Sequence, residues 1–495
     1  MTGPSVLAID AGTTGVRALA VSEQGVIVAA GYQEFDQHFP RPGWVEHSPE
    51  EIWEATSGAV RALLDRHDAA DLTAVGITNQ RETVVVWDRE TLASARPAIV
   101  WQDRRTAPLC RRLREDGHED RVHELTGLRL DPYFSGTKLC WLAENEPDTW
   151  AAVENGRYAV GTVDSYLVAR MTGGRRHVTD ASNASRTLLF GLAQGGWNHE
   201  LCALFGVPPA ALPEVVPSWG TVGTTDPEDF EGLELPIAGI AGDQQAALFG
   251  QACFAPGDTK CTYGTGSFVV TNTGGDVVRS KAGLLSTVAW MSPDGQLTYA
   301  LEGAIFVTGA AVQWLRDGLG IIESAEQTAE LAASVDDAAG VVFVPALTGL
   351  GAPDWDPQAR GLIAGITRGT SRAHLVRATL EAIAHEVRDV VDTLPEDTSP
   401  DTLTVDGGAS ANDVLCQLQA DQLGISVQRP ASIETTGLGA AFLAGLGTGV
   451  WGSTDELAQT WRLDRRFEPL ASREDVDAAH AQWRDAVERA KGWAR

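Results

Sequence analysis

The first apolar runs of the chain are short and end in turn residues, which is typical of β-hairpins. Residues 6–9 are apolar and lead into Asp10-Ala11-Gly12-Thr13-Thr14. Two further apolar runs follow at 18–21 and 26–30, with a glycine-containing turn between them. Short apolar runs bounded by turn residues read as strands. The sequence therefore predicts β-hairpins from its first residues.

Two later stretches carry the spacing of helices. Ser48-Pro49-Glu50-Glu51 is a capping box with Pro at the first helical position, and apolar residues recur at helical intervals through residue 64. A second pattern of this kind covers residues 371–394, and Pro395 is expected to end it. Because such helices alternate with the strands, the sequence predicts an α/β protein.

The strand and turn pattern of the opening returns past the middle of the chain. Residues 259–270 read as strand, glycine turn and strand, and another glycine turn at 406–410 follows the apolar residues 403–405. Two halves of this kind indicate an internal duplication of architecture. Residues 224–236 are rich in Asp, Glu, Gly and Pro, so we predict that they form the loop between the halves.

Length and charge narrow the possible functions. The chain has 495 residues, and a single core stops growing at roughly 250–300, so two large domains are expected. With 38 Lys and Arg against 67 Asp and Glu, the net charge of −29 disfavours a nucleic-acid groove or a polybasic membrane surface. The six cysteines form no C-x-x-C pair, and no apolar run approaches the roughly 20 residues of a membrane span. We therefore expect a soluble, cytoplasmic protein with reduced thiols.

Three glycine turns, at residues 10–14, 263–267 and 406–410, are candidates for phosphate binding. Glycine lets backbone N–H groups approach phosphate oxygens, and neighbouring Thr and Ser hydroxyls add donors. Any one of these turns alone is better explained as an ordinary hairpin turn, but the three together favour phosphate binding. The sequence contains no Gly-Lys dipeptide, which excludes a P-loop nucleotide site.

Asp243 follows an apolar strand, residues 237–242, and stands at the start of a predicted helix. At a helix N-terminus the macrodipole favours an ionised carboxylate, which suits a general base that accepts a hydroxyl proton. A plain helix-capping role explains the same position. Spacing alone leaves both interpretations open.

Asn79-Gln80-Arg81-Glu82 places a cation and a carboxylate side by side at the entrance of a strand. Arg81 and Glu82 would offer donors and acceptors to the hydroxyls of a polyol, with Trp101 as an aromatic wall against its carbons. The alternative is a surface ion pair and a core tryptophan. Asp10 is either a turn former or a partner of Mg²⁺, which binds through one or two carboxylates together with substrate phosphates.

The chain resembles the FGGY carbohydrate kinases from about residue 6 to residue 449. Both signatures of that family are present, at residues 133–145 and at 361–366 continuing through 374–381. The stretches most similar to members that phosphorylate glycerol are residues 43–47, 79–82, 241–250, 301–304 and 313–315. The resemblance implies an α/β fold of the actin, hexokinase and Hsp70 superfamily, with two actin/hexokinase-like (ribonuclease H-like) domains flanking a catalytic cleft.

The resemblance also implies a division of the chain into three parts. Residues 1–243 would form the N-terminal domain, with the polyol site and the first phosphate turn. Residues 244–450 would form the C-terminal, nucleotide-binding domain. Residues 451–495 would be a helical extension packed on the second domain.

Matching positions carry roles that the family implies. The residues expected to hydrogen-bond the polyol are Arg81, Glu82, Tyr133, Asp243 and Gln244, with Trp101 and Phe268 along its carbon side. Asp243 is expected to act as the general base, and Asp10 as the partner of Mg²⁺. The positions expected to bind the nucleotide and its phosphates are Thr13, Thr14, Arg17, Thr265, Gly266, Gly309, Gln313, Gly408, Ala409 and Asn412.

The implied activity is phosphorylation of glycerol to sn-glycerol 3-phosphate by Mg-ATP. One alternative is another FGGY kinase, acting on erythritol, ribitol or xylulose. A second is a non-catalytic, nucleotide-switched protein of the same fold. The expected partners are glycerol and ATP, with neither nucleic acid nor membrane insertion, in a homo-oligomer such as a dimer or tetramer.

Several positions depart from the pattern of many glycerol-phosphorylating members. Ala11 and the pair Gly15-Val16 lack side chains that contact phosphate there, and Asp354 replaces a frequent aromatic residue. Residues 224–236 lack the Gly-Gly-x-Arg pattern that binds fructose 1,6-bisphosphate in some relatives, and they contain no His. The loop therefore supports neither that feedback nor regulation by histidine phosphorylation.

Overall fold

The computed structural model describes residues 3–494 as an α/β protein built around two large sheets. The strands are β1 (Ser5–Ala11), β2 (Gly15–Ser22), β3 (Ile27–Glu34), β4 (Glu46–His47), β5 (Leu72–Asn79), β6 (Val85–Asp88), β7 (Ala98–Ile99), β8 (Tyr158–Gly161), β9 (Val178–Asp180), β10 (Phe190–Gly191), β11 (Gly196–Trp197), β12 (Glu214–Val216), β13 (Trp219–Thr224), β14 (Pro236–Gly242), β15 (Thr259–Tyr263), β16 (Ser267–Gly274), β17 (Leu285–Met291), β18 (Leu297–Ile305), β19 (Val342–Val344), β20 (Leu362–Ala364), β21 (Thr402–Asp406), β22 (Ser426–Pro430) and β23 (Leu463–Phe467). The helices are α1 (Pro49–Leu64), α2 (Ala107–Glu115), α3 (Glu119–Thr126), α4 (Ser135–Asn145), α5 (Pro147–Glu154), α6 (Val163–Met171), α7 (Ala181–Ala184), α8 (His199–Leu204), α9 (Asp243–Gly250), α10 (Gly309–Gln313), α11 (Gln327–Ala333), α12 (Arg372–Val391), α13 (Asp413–Leu423), α14 (Thr435–Thr448), α15 (Thr454–Ala458) and α16 (Arg473–Ala490).

The first sheet has the strand order β13-β14-β5-β1-β2-β3. Its central strands β14, β5 and β1 run parallel, while β2 and β3 continue it as antiparallel hairpins. The predicted hairpins at the start of the chain are therefore confirmed. Because the carboxyl ends of parallel strands meet at one edge, Asp10, Asn79 and Gly242 lie near one another there.

The second sheet repeats this plan with the strand order β17-β18-β16-β15-β21-β22-β23. A leading hairpin, β15 with β16, again pairs with a parallel strand, β21, just as β1 and β2 lie beside β5. The predicted duplication of architecture is thus present in the topology. We call the parts around the two sheets the first body and the second body.

The predicted loop between the halves is wrong. Residues 224–236 connect β13 to β14 inside the first sheet, since Thr224 pairs with Pro236. The chain passes to the second body later, through α9 and residues 251–258. An acidic composition rich in glycine and proline is found both in loops between neighbouring strands and in linkers between domains. The composition alone therefore does not show which elements this loop connects.

Both predicted helices form, with one boundary shifted. Helix α1 begins at Pro49, and the Ser48 side chain accepts a hydrogen bond from the Glu51 amide at 3.3 Å. Helix α12 ends at Val391, before Pro395, because the amides of the next residues turn back to bond with carbonyls of the last helical turn.

The last part of the chain is not purely helical. Helices α15 and α16 are joined by strand β23, which pairs antiparallel with β22 at the edge of the second sheet. Helix α16 packs Trp483 and Val487 against the second body. Asp354 binds Lys491 at 2.7 Å and Arg484 at 3.1 Å, so this carboxylate anchors α16 and the residue that follows it.

Helix α14 joins the two bodies. It comes from the second half of the chain but packs on β5 and β14 of the first sheet and on α9. The contact is made backbone to backbone, because a Cβ on Gly439 would lie 1.8 Å from the Ala246 carbonyl oxygen and one on Gly76 would lie 2.0 Å from that of Ala440. Glycine at these positions is what permits the close approach.

Buried histidines make stability depend on pH. Burial lowers the pKa of His47 and His177 to about 4 and that of His385 to about 3. In the unfolded chain each of these histidines binds a proton near pH 6.5, whereas in the folded chain it does so only below about pH 4. The free energy of unfolding should therefore fall as the pH drops from 6.5 towards 4, by about 1.4 kcal/mol per pH unit for each histidine.

Urea unfolding at pH 7 and pH 5 measures this loss. The variant His177→Gln should lose about 2 kcal/mol less than the wild-type protein between these pH values, since one lowered pKa is removed. The variant His199→Gln, at an exposed position, is the control and should behave as the wild-type protein does. An identical pH dependence in His177→Gln and the wild type would contradict the interpretation.

Candidate active site

The carboxyl edge of the first sheet brings charged side chains into the space between the two bodies. Asp10 is the second-last residue of β1, Arg81 and Glu82 follow β5, and Asp243 follows β14. Arg81 and Glu82 are almost fully buried, at 2% and 1% exposure, so they are not a surface ion pair. A buried charged group requires specific partners, and these partners define the site.

Arg81 is the centre of the site. Its Nη1 donates to Glu302 Oε2 at 2.5 Å and its Nη2 to Glu302 Oε1 at 3.2 Å, a two-point contact that fixes the plane of the guanidinium. Arg81 Nε lies 3.0 Å from Asp243 Oδ1, and Nη2 also donates to the Tyr133 hydroxyl at 3.3 Å. Arg81 therefore holds a residue of each body.

Glu302 brings a carboxylate from β18 of the second body into this arrangement. It also accepts a hydrogen bond from Arg186 Nη2 at 2.8 Å, and Arg186 Nε donates to Glu82 Oε1 at 2.8 Å. Burial alone would raise the pKa of Glu302, but Arg186 and Arg81 lower it to about 2. We call Arg81, Glu82, Arg186 and Glu302 the buried ion cluster.

The backbone of Glu82 is held in an unusual conformation. Its φ of 62° lies in the left-handed region, which a non-glycine residue adopts at a cost of about 1–3 kcal/mol. The Glu82 carbonyl accepts a hydrogen bond from Ser135 Oγ at 2.9 Å, and its side chain is held by Arg186. The strain is therefore balanced by contacts that aim this carboxylate into the site.

Asp243 is the first residue of α9 and presents a free oxygen. Its Oδ1 lies 3.0 Å from Arg81 Nε in an ion pair and accepts a hydrogen bond from the Gln244 amide at 2.7 Å. Within residues 3–494, no group donates to Asp243 Oδ2, and 31% of this side chain is exposed. Asp243 Oδ2 can therefore accept a proton from a ligand in the cleft.

Aromatic rings surround the charged groups. The rings of Trp101 and Tyr133 pack edge to face at 5.6 Å, and the Arg81 guanidinium lies 5.7 Å from the centre of the Phe268 ring. Trp101 Nε1 donates to Thr13 Oγ1 at 3.1 Å, which links this wall to the first glycine turn. Hydrogen-bonding groups beside aromatic rings suit a small molecule with both hydroxyls and carbons.

The first glycine turn has an exposed threonine and a carboxylate with a raised pKa. Thr14 is exposed, and Arg17 Nη1 pairs with Glu434 Oε2 of the second body at 2.6 Å. Burial raises the pKa of Asp10 to about 7, with a further rise from the Asp243 and Glu434 carboxylates and an opposing effect of Arg17. A cation bound here would relieve the repulsion between these carboxylates.

Mg²⁺ fits this chemistry. Among residues 3–494, no three His, Cys, Asp or Glu side chains are grouped so that they could hold a metal by themselves. One carboxylate with substrate phosphates is a usual way of binding Mg²⁺. Asp10, which stands beside the predicted phosphate turn and faces other carboxylates, meets that requirement.

A cavity of about 410 Å³ lies in the second body beside the second and third glycine turns. Its walls combine backbone-rich turns with the apolar side chains Leu380, Ile383 and Leu415. The residues predicted to bind nucleotide that line it are Thr265, Gly309, Gln313, Gly408, Ala409 and Asn412.

Two of the predicted nucleotide-binding residues have structural tasks here. Gly266 does not line the cavity, and a Cβ there would lie 2.2 Å from the Ile305 carbonyl oxygen. The Asn412 side chain caps α13 through the Val414 amide at 3.0 Å and donates to Thr328. Glycine at position 266 thus shapes the turn, and Asn412 fixes the edge of the cavity.

Comparison with known proteins accounts for this arrangement. The family description "FGGY family of carbohydrate kinases" matches the chain over residues 5–250 with its N-terminal domain and over 259–448 with its C-terminal domain. The chain belongs to the FGGY family. The predicted family and fold class, two α/β domains flanking a cleft, are confirmed.

Individual relatives are similar to this FGGY chain over its whole length. It is 55% identical over 492 residues to a glycerol kinase of Aromatoleum aromaticum, covering 99% of both chains. It is 52% identical over 494 residues to glycerol kinase 2 of Thermotoga maritima, again covering 99% of both. The crystal structure of Plasmodium falciparum glycerol kinase with ADP superposes with a TM-score of 0.91 at 34% identity, covering 99% of this chain and 98% of that one.

The structure brings the predicted polyol residues together and adds others. Arg81, Glu82, Tyr133 and Asp243 form one connected group, with Trp101 and Phe268 beside it. Sequence reasoning missed the roles of Glu302, Arg186 and Lys260. A single charged residue inside an otherwise uncharged strand was the available signal, and Glu302 in β18 and Lys260 in β15 are both of this kind.

Among residues 3–494, no helix is long and apolar enough to cross a bilayer.

Proposed function

We propose that this FGGY kinase transfers the γ-phosphoryl group of ATP to a terminal hydroxyl of glycerol, forming sn-glycerol 3-phosphate. The observation that carries the proposal is the unpaired Oδ2 of Asp243, held in place by Arg81 within a partly aromatic cleft. Full-length relatives at 55% and 52% identity bear the names glycerol kinase and glycerol kinase 2. The geometry supplies a proton acceptor for a hydroxyl, and the names of the relatives indicate that this hydroxyl belongs to glycerol.

The polyol would be bound by complementary donors and acceptors. Arg81 and Tyr133 would donate to substrate oxygens, and the Glu82 and Asp243 carboxylates would accept from substrate hydroxyls. Trp101 and Phe268, the latter from the second body, would enclose the carbon backbone. The triol would thus touch both bodies, which excludes water from the reacting groups.

The nucleotide would lie across the glycine turns. Its adenosine part fits the 410 Å³ cavity, and its phosphates would reach the turn at Thr265 and that at Thr13, Thr14 and Arg17. Asp10 would hold Mg²⁺, which supplies charge neutralisation to the phosphates when bound. Arg17 would exchange Glu434 for phosphate, since its present partner is partly exposed.

Transfer then requires little covalent chemistry from the protein. The terminal hydroxyl oxygen forms a bond to the γ-phosphorus, the bond from that phosphorus to the ADP oxygen breaks, and the hydroxyl proton passes to Asp243 Oδ2. Positioning and charge neutralisation supply most of the rate enhancement in such reactions.

Other polyols or a ketose remain the competing substrates. A longer chain such as ribitol would need space beyond the aromatic wall of Trp101, Tyr133 and Phe268. A non-catalytic nucleotide switch would keep the glycine turns but would have no need of a carboxylate placed like that of Asp243.

The domain limits are also part of the proposal. We place the first domain at 1–243, the second at 244–450 and the extension at 451–495. The end of β14 at Gly242 supports the first limit. The packing of α14 on the first sheet shows that the second segment also covers part of the first body.

A substrate panel tests the proposed function. ADP release should be measured with the purified full-length chain, MgCl₂ and ATP for glycerol, erythritol, ribitol, xylulose and gluconate. We expect glycerol to give the highest kcat/KM, and we expect chelation of Mg²⁺ by excess EDTA to stop turnover. A higher kcat/KM for any other member of the panel would refute the assignment of glycerol.

A further inference from the structure

Lys260 is a fully buried cation at the junction of the two bodies. It lies on β15 of the second body at 0% exposure. Its Nζ donates to the Gln244 Oε1 atom of α9 and, at 2.7 Å, to Thr262 Oγ1. Burial lowers the pKa of Lys260, whereas the Asp406, Asp243 and Glu302 carboxylates act in the opposite direction. The two oxygen atoms of Gln244 and Thr262 are the partners that this buried ammonium group requires.

The contact with Lys260 settles the orientation of the Gln244 amide. An ammonium group has three donors and no acceptor, so it can bind the amide oxygen but not the amide nitrogen. With Oε1 held in this way, Nε2 points elsewhere. Within residues 3–494 no group accepts a hydrogen bond from Gln244 Nε2. A free donor, Gln244 Nε2, and a free acceptor, Asp243 Oδ2, are therefore carried by consecutive residues at the start of α9.

We propose that Lys260 is a positioning residue of the polyol site, which holds Gln244 Oε1 and so turns Gln244 Nε2 toward the substrate hydroxyl beside Asp243. This inference rests on the proposed function. A hydroxyl placed between the two groups accepts from Gln244 and donates its proton to Asp243. The remaining lone pair of the hydroxyl oxygen then points away from Gln244 and Asp243, so it is free to attack phosphorus.

The arrangement also makes the site selective for a hydroxyl. A hydroxyl both donates and accepts, so it satisfies Asp243 and Gln244 together. An amine in its ammonium form would leave Gln244 Nε2 without an acceptor, and a carbonyl would leave Asp243 without a donor. Lys260 would contribute to this choice without touching the substrate.

A double-mutant cycle tests the inference. The wild-type chain, Lys260→Met, Gln244→Ala and the double variant are compared by KM and kcat for glycerol at saturating ATP. Loss of one oriented hydrogen bond should raise the glycerol KM about tenfold in each single variant. Because Lys260 acts through Gln244, the double variant should match Gln244→Ala, while the KM for ATP stays within twofold of wild type. Effects that multiply in the double variant, or an unchanged glycerol KM in Lys260→Met, would overturn the proposal.

Two controls separate positioning from stability. Val427→Ala removes a buried side chain from the core of the same sheet and should lower Tm while leaving the glycerol KM unchanged. Gln244→Glu keeps a strong partner for Lys260 and hence the fold, but it presents no N–H to the substrate. It should raise the glycerol KM as Gln244→Ala does, and a KM equal to wild type would refute the donor role. If the wild-type chain did not phosphorylate glycerol, the proposed function itself would be refuted. If the wild-type chain is active and only the predicted effects of the Lys260 and Gln244 variants are missing, the role of Lys260 alone is refuted.

Discussion

Asp243→Asn should abolish nearly all phosphorylation while leaving ATP binding intact. The amide has almost the same shape as the carboxylate, but it cannot accept the hydroxyl proton, so kcat should fall by about 10²–10⁴-fold. ATP affinity should change less than twofold, because Asp243 does not line the nucleotide cavity. A coupled ADP-release assay measures the first quantity, and calorimetric titration with ATP measures the second.

Asp276→Asn provides the matched control. Asp276 is an exposed residue of the second body, so the same loss of charge there should leave turnover unchanged. If Asp243→Asn turned over glycerol at the wild-type rate, Asp243 would not be the base. If it lost ATP affinity as well, its role would lie in nucleotide binding rather than in proton transfer.

Glu302→Gln should give the largest loss of stability among single substitutions in the site. Glu302 is the carboxylate shared by two buried arginines, and its removal leaves their charges only partly balanced. Breaking a buried pair in this way costs about 3–5 kcal/mol. The midpoint of urea unfolding should therefore fall clearly, and the glycerol KM should rise because Arg81 loses its two-point support.

An exposed ion pair serves as the control for the contribution of the buried ion cluster to stability. Glu200 binds Arg121 at 2.7 Å, and about half of each side chain is exposed. The variant Glu200→Gln should leave the midpoint of urea unfolding nearly unchanged, because an exposed ion pair contributes little to stability. Equal midpoints for Glu302→Gln and Glu200→Gln would mean that the buried ion cluster does not stabilise the fold.

Local features of the fold were predictable because they depend on neighbours in sequence. The apolar run at 6–9 and the turn after it specify β1, and the strand ending in Gly242 places Asp243 at the start of α9. The capping residues at 48–51 likewise specify where α1 begins. In each of these cases the decisive contacts lie within a few residues of one another.

The contacts between the bodies could not be read from spacing. Glu302 meets Arg81 across 221 residues, and Lys260 on β15 meets Gln244 on α9. Nor does the small-residue composition of α14 indicate that it packs on the first sheet. The loop at 224–236 was misplaced for a related reason, since its composition says nothing about which strands it connects.

The buried ion cluster also bears on how the protein is made. Glu302 follows Arg186 by 116 residues and Arg81 by 221, so during synthesis both arginines emerge from the ribosome long before their shared counter-charge. Until β18 has been added, the first body would have to bury two guanidinium groups without their main partner, which is unfavourable. The amino-terminal half is therefore expected to complete its folding only after most of the second half has been translated, and the enzyme cannot be divided between its domains into two parts that each retain a finished site.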